Sequence, residues 1–190
     1  MKNYDITFPR LVSYPRTGSH WLRMVLEKYL NKYCSPSLFF GTTEPWGYHL
    51  HDRIVGEGIE GATRDFDKVI YLYRNPVDTI FSHLNYHKLN TTKIKNVDNF
   101  INEYLNHLNR WMHNNEDIKN IIFITYEDIK LNHEQVFKAV VEFLGYKFNA
   151  SKIQQIYDTI TIQSVKETTV QLGLMDSSAP IINNDHFTGS

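Results

Sequence analysis

Two stretches of this 190-residue chain carry residue types suited to holding an anion. The first is Ser13-Tyr14-Pro15-Arg16-Thr17-Gly18-Ser19-His20-Trp21, a short loop with a glycine and hydroxyls that feeds an apolar-periodic segment. Backbone N–H groups left free at a helix start, with the positive end of the helix dipole, make an anion cradle. Arg16 adds a full charge there, and the hydroxyls of Thr17 and Ser19 add donors. The second stretch is Arg74-Asn75-Pro76-Val77-Asp78, with Ser82 eight positions beyond Arg74. A cation at a helix entrance opposes the dipole, so Arg74 points to an anionic ligand. Asp78 reads instead as a capping-box acid. A proton acceptor is offered by Gly47-Tyr48-His49-Leu50-His51-Asp52, since imidazole titrates near neutral pH. The pairs His49/His51 and His83/His87 lack convincing further ligands for a metal, and none is expected.

The elements that must position these residues follow from periodicity. Ile6 to Tyr14 reads as a strand ending at Pro15. Ser19 to Lys32 repeats Trp21, Leu22, Val25, Leu26, Tyr29 and Leu30 at helical spacing, with Ser19 as cap. Between about 34 and 61 the period is lost among prolines, glycines and the aromatics Phe39, Phe40, Trp46 and Tyr48, which reads as a long loop belonging to a site. Lys68 to Tyr73 reads as a buried strand, followed by a helix from Pro76 to about His87 with Asn75 as cap. Val97, Phe100, Ile101, Tyr104, Leu105, Leu108, Trp111 and Met112 form one helical stripe. Ile121 to Tyr126 reads as a third buried strand, and helices follow from about His133 to Leu144 and from Ser151 to Tyr157. The tail from about 174 is irregular. Strands alternating with helices predict an α/β fold, an open parallel sheet flanked by helices with a strand-loop-helix core of P-loop type. Ligands of such sheets sit beyond the carboxyl ends of the strands.

Length and composition, 42% hydrophobic and 22% charged, predict one globular domain spanning 1–190. Twenty basic residues against 21 acidic ones give a net charge of −1, which argues against nucleic acid and anionic lipid as partners. The single cysteine, Cys34, fits a reducing compartment and reads as an ordinary thiol. Neither a signal peptide nor a membrane-length apolar run is found, so a soluble cytoplasmic protein is expected.

Three motifs carry a family resemblance. Tyr14-Pro15-Arg16-Thr17-Gly18-Ser19-His20-Trp21 resembles the 5′-phosphosulfate loop of sulfotransferases, which reads close to T-Y-P-K-[ST]-G-T-T-W in the cytosolic branch and P-R-S-G in many bacterial members. Arg74-Asn75-Pro76-Val77-Asp78-Thr79-Ile80-Phe81-Ser82 is similar to the family's 3′-phosphate motif, R-[DN]-P-x-D-x-x-x-S, and Tyr126-Glu127-Asp128 to its Y-E-D motif. The three stand in the family's order, each after an expected strand.

The resemblance implies an enzyme that transfers a sulfuryl group from 3′-phosphoadenosine 5′-phosphosulfate (PAPS) to an acceptor hydroxyl or amine, releasing adenosine 3′,5′-bisphosphate (PAP). It implies that Arg16 neutralises the 5′-phosphosulfate, that Thr17, Gly18, Ser19 and His20 line the cradle, and that Arg74 and Ser82 hold the 3′-phosphate. Trp21 would lie against the adenine, with Tyr126 and Ser164 as further contacts. The family base is a histidine a little over twenty residues before the 3′-phosphate arginine, and His51 lies 23 before Arg74, which favours His51 over His49. In-line displacement needs alignment and charge stabilisation, which Arg16 and the helix N–H groups would supply. The family's late R-K-G-x-x-G-x-W segment is not reproduced; Gly189 in His186-Phe187-Thr188-Gly189-Ser190 is the nearest counterpart. His20 replaces a family threonine. Two other readings stay open, a nucleotide-dependent phosphotransferase and a non-catalytic nucleotide-binding module. The ATP loop G-x-x-x-x-G-K-[ST] is absent. The acceptor, a small molecule or carbohydrate, and the oligomeric state are not specified by the sequence.

Overall fold

The computed structural model describes residues 8–52, 66, 68–86, 97–116 and 118–173. The expected strand start at Ile6, the helix end at His87, the 53–61 part of the loop, Gly189 and the tail from 174 lie outside these residues.

Among the described residues, five parallel strands form one sheet in the order β2-β3-β1-β4-β5. They are β1 Arg10–Ser13, β2 Tyr33–Ser35, β3 Pro45–Leu50, β4 Val69–Tyr73 and β5 Ile121–Thr125. The helices are α1 Ser19–Leu30, α2 Pro76–Tyr86, α3 Val97–Leu108, α4 Tyr126–Leu131, α5 His133–Phe143, α6 Ala150–Thr159 and α7 Ile162–Gln171. The open parallel α/β sheet is thus as expected. From β1 the chain runs to β2 and β3 on one side and then to β4 and β5 on the other, so the order reverses at β1, where open α/β sheets bind ligands.

The sheet is buried where the strands read as continuous apolar runs. Leu11, Ile70 and Leu72 pack with Leu22, Leu26, Phe137 and Val141, while Val12, Val69 and Tyr71 pack on the other face with Trp111 and Ile118. Arg10 is also fully buried; its Nη1 donates to the Phe8 carbonyl, and its guanidinium lies between the rings of Tyr48 and Phe66.

Several sequence expectations are corrected. The stretch from 34 holds β2 and β3 rather than being one long loop. Gly47, which reads as a loop residue, is required inside β3 because a Cβ there would come 2.6 Å from the Pro9 carbonyl oxygen of the neighbouring chain segment. The N-cap of α1 is Gly18, not Ser19, which is already helical. The apolar stripe reaching Met112 is not one α-helix, because α3 gives way to a π-helical turn at Asn109–His113. β5 is an edge strand with Phe123 44% exposed, not a fully buried one. Helix α7 was not expected, since its sequence IQSVKETTVQ is rich in β-branched residues and lacks an apolar stripe. Its N-cap is Thr161, whose hydroxyl accepts from Ser164 N–H at 3.1 Å.

Candidate functional site

The loop after β1 is shaped by two left-handed residues, Arg16 with φ 73° and Gly18 with φ 93°. Gly18 is needed twice over: its conformation disfavours a side chain, and a Cβ would lie 2.4 Å from Tyr126 Cδ2. The first intrahelical bond of α1 is from Leu22 N–H to Gly18 O at 3.3 Å. The N–H groups of Ser19, His20 and Trp21 therefore have no acceptor within the helix. The Thr17 hydroxyl donates to Tyr14 O at 2.8 Å, so its one proton is used in the loop itself. This corrects the expectation that Thr17 offers a hydroxyl donor; what it has left for an anion is backbone. Ser19 is 5% exposed at the start of α1.

Beyond β4, Asn75 caps α2 as expected, its Oδ1 accepting from Val77 N–H at 2.9 Å. Asp78 does not act as the capping-box acid. The Asn75 N–H donates to Glu127 Oε1 at 3.1 Å, while Asp78 lies 3.9 Å from Arg74 Nη2. Arg74 is 7% exposed, its guanidinium lies 4.6 Å from the Tyr126 ring centroid, and its Nε has no partner among the described residues. Its own backbone is clamped by Tyr104, whose hydroxyl donates to Arg74 O at 2.6 Å and accepts from Arg74 N–H at 3.1 Å.

Arg16 and Arg74 converge. Arg16 Nε donates to Ser82 Oγ at 3.2 Å, and its guanidinium lies over Tyr86. Burial holds the Arg16 pKa below its ordinary value, against the raising effect of Tyr86, and the charge on Arg74 adds a smaller push in the same direction as burial. Two largely buried guanidiniums of like charge, one with an unused donor, form an electrostatic arrangement that an anion completes. Because Ser82 accepts from Arg16, its own O–H is left to donate.

His51 follows directly on β3. Its Nδ1 lies 3.0 Å from Ser13 O, and since a carbonyl only accepts, Nδ1 carries the proton and Nε2 presents the lone pair. Burial lowers its pKa, as do the charges of Arg23 and Arg16, against the raising effect of the Ser13 bond. His49 is turned inward. Arg23 Nη1 donates to its Nδ1 at 3.3 Å, so its Nε2–H donates to Ser13 Oγ at 2.8 Å. Its two nitrogens are thereby occupied, and burial drives its pKa well below the ordinary histidine value. His20 is likewise held neutral, its pKa lowered to about 3 by burial and by Arg23, His51 and Arg16.

Trp21 stacks on Tyr157 at 5.5 Å and meets the Tyr126 ring edge-on at 6.1 Å; its buried Nε1 has no partner among the described residues. Ser164 lies in the first turn of α7, its hydroxyl donating to Thr161 O at 2.8 Å. Phe39 and Trp46 are core residues, 7% and 3% exposed, while Phe40 is 38% exposed under Lys28. Cys34 is buried and inert, burial pushing its thiol up to about 12. No group of three or more His, Cys, Asp or Glu able to hold a metal is found among the described residues.

Sequence reasoning missed two roles. Tyr126 is the floor between the two anion loops, touching Gly18, Arg74 and Trp21, and only the glycine facing it betrays this. Arg23, one turn past the first loop and 1% exposed, bridges His49 to the carbonyls of Cys34 and Ser37; a lone arginine on an apolar helix face was the available signal.

Arginines after β1 and β4, a helix N-terminus between them and an imidazole after β3 form the candidate site on the parallel sheet. The sequence profile of the sulfotransferase domain matches residues 60–187, and the chain belongs to the sulfotransferase family. Human sulfotransferase 6B1 is 27% identical over 188 residues, a match covering 82% of this chain and 61% of the relative. Cytosolic sulfotransferase 6 of Arabidopsis thaliana is 24% identical, covering 88% and 56%. The chain thus spans about three fifths of the length of these curated relatives. The fold is shared with mouse sulfotransferase SULT7A1 complexed with PAP, at TM-score 0.58 and 22% identity, covering 86% of this chain and 66% of that one. It is shared too with retinol dehydratase in complex with androsterone and PAP, at TM-score 0.58 and 15% identity, covering 93% and 72%.

Proposed function

We propose that this chain binds PAPS and transfers its sulfuryl group to a hydroxyl or amine of a small-molecule acceptor, releasing PAP. The observation that carries the reading is the convergence of Arg16, Arg74 and Ser82 around space suited to an anion, with Arg74 Nε unpartnered among the described residues. Structural neighbours were crystallised with PAP, and one relative, from Photinus pyralis, is a luciferin sulfotransferase.

In this reading Arg16 and the N–H groups of Gly18, Ser19 and His20 hold the 5′-phosphosulfate, and Arg74 with Ser82 holds the 3′-phosphate. Trp21 packs against the adenine, with Tyr126 beneath, and Ser164 is a further nucleotide contact. The acceptor oxygen attacks sulfur in line, the bond from sulfur to the bridging phosphate oxygen breaks, and the acceptor proton passes to His51 Nε2. Arg16 and the helix N-terminus stabilise the charge gathering on the leaving phosphate. His51 suits the base because its free nitrogen is Nε2 and its neutral form is favoured, whereas both nitrogens of His49 are engaged. No metal is needed, since the cations are arginines. A single domain working in the cytoplasm fits the relatives named cytosolic sulfotransferases; among the described residues no helix is long and apolar enough to cross a membrane.

The test is transfer of labelled sulfate from PAPS to a panel of phenols, alcohols and amines, with ATP and magnesium as competitor. Labelled product that is lost in His51→Ala and inhibited by PAP but not by ATP is expected. Phosphoryl transfer from ATP, or binding without transfer to any acceptor in the panel, would overturn the assignment.

A further inference from the structure

His51 stands on a turn, where a side chain is only as well placed as the backbone carrying it. β3 ends at Leu50, and Asp52, the residue after His51, is left-handed with φ 40°. Its place in the fold is nevertheless tightly specified from below. His107, fully buried in the last turn of α3, lies with Nε2 3.0 Å from the carbonyl oxygen of His51. A carbonyl only accepts, so the proton is on Nε2 and Nδ1 must accept; the Tyr71 hydroxyl donates to it at 2.9 Å. One turn further, inside the π-helical turn, Trp111 Nε1–H donates to Asp52 Oδ2 at 2.8 Å. The Tyr71 ring lies nearly parallel to both partners, at 5.5 Å from His107 and 6.2 Å from Trp111. Two buried rings, His107 and Trp111, therefore grip His51 and Asp52 through one backbone and one side-chain oxygen, and the Tyr71 ring backs both.

We propose that His107, with its tautomer fixed by Tyr71, is a positioning residue that holds the His51 backbone so that the imidazole keeps Nδ1–H on Ser13 and presents Nε2 to the acceptor. The inference rests on His51 being the base. His107 touches no reacting atom; it acts through the His51 carbonyl. Apolar packing alone would not call for an imidazole here, because burial and the neighbouring His51 make its charged form costly, its pKa falling to about 3 despite the His51 carbonyl bond. What an apolar residue could not supply is the donor to the base's own carbonyl. The π-helical turn fits the same role, since such insertions re-aim side chains and gather at functional sites.

The experiment compares His107→Gln, whose amide can still donate to the carbonyl, with His107→Leu, which cannot, and with Tyr71→Phe, which removes only the hydroxyl that fixes the tautomer. Long-range proton–nitrogen NMR of histidine-labelled protein reads the His51 tautomer, assigned by its loss in His51→Asn. Calorimetry reads the Kd for PAP, and transfer assays read kcat. Wild type is expected to show His51 as the Nδ1–H tautomer, and His107→Leu a mixture of tautomers. By comparison with outer partners of catalytic ligands, His107→Leu should lose about 10–100-fold in kcat with the Kd for PAP nearly unchanged, and His107→Gln should recover most of it. Tyr71→Phe, the mildest change, should move both readouts in the same direction. An unaltered His51 tautomer and kcat in Tyr71→Phe and His107→Leu would overturn the proposal. So would equal loss in the Gln and Leu variants with loss of PAP affinity, which marks a general packing role. If His51→Ala retains transfer while the tautomer responds as expected, it is the choice of base that fails, not the grip on His51.

Discussion

Arg16 Nε donates to Ser82 Oγ at 3.2 Å and so joins the loop after β1 to the second turn of α2. The two sequence motifs that contain these residues are thereby brought into contact. Arg16 supplies charge and also orients the Ser82 hydroxyl, which keeps its proton for a ligand. A hydrogen bond to a charged group is worth about 1.5–3 kcal/mol, or roughly ten- to a hundredfold in affinity. Ser82→Ala removes one such bond, from a neutral hydroxyl, and should weaken PAP binding by about tenfold, whereas Arg16→Met also removes a full positive charge and should cost about a hundredfold. Calorimetric titration of the two variants checks the order; a larger loss in Ser82→Ala would contradict it.

Gly18 and Tyr126 make the cradle intolerant of a methyl group. Gly18→Ala places a Cβ in the Tyr126 ring and forces a side chain into a left-handed conformation, which alone costs about 1 kcal/mol. The expected result is lower stability in urea together with loss of PAP binding. Tyr126→Ala in the same background makes room for the Cβ and should recover part of the stability.

The assignment of His51 has a pH signature. Its pKa is lowered mainly by burial, so the neutral base is populated at pH 7, and protonation sets in only below the ordinary value near 6.5. Transfer should be flat from about pH 7 to 8 and fall on the acid side, and His51→Ala should lose about 10²–10⁴ in kcat. An acid limb centred above pH 7 would contradict the burial argument.

Burial of neutral histidines also sets acid stability. His107 has a folded pKa of about 3 against an ordinary value of 6.5. Above 6.5 both folded and unfolded states carry it neutral and nothing is lost. Below 6.5 the unfolded chain takes up the proton and the folded one does not, so stability falls with pH until about 3, by about 1.4 kcal/mol per pH unit for each such group. His49 and His20 shift in the same direction. Urea unfolding at pH 7.5 and 5.5 should show a marked loss at the lower pH, smaller in His107→Gln.

The strands that precede Arg16 and Arg74 were legible because β4 reads as an unbroken apolar run and β1 ends where Pro15 stops an extended segment, and because Asn75-Pro76 is a helix start whatever its surroundings. The residues that follow these strands were legible for the same reason. β2 and β3 were not, since Tyr33–Ser35 is three residues long and β3 carries Pro45, Gly47 and His49, whose fit depends on the neighbouring backbone. Asp78 matched a capping box by spacing alone; Glu127, brought in from α4, took the bond that spacing assigned to it. The partners of His51 were out of reach as well, because Ser13 and His107 lie 38 and 56 positions away along the chain.

The most direct test of the central claim is calorimetric titration of the purified protein with PAP, beside adenosine 5′-monophosphate as the nucleotide that lacks the 3′-phosphate. Binding of PAP that exceeds that of the monophosphate, and that Arg74→Ala reduces to the monophosphate level, is the predicted result. Equal affinity for the two nucleotides, or PAP binding indifferent to Arg74, would contradict the account.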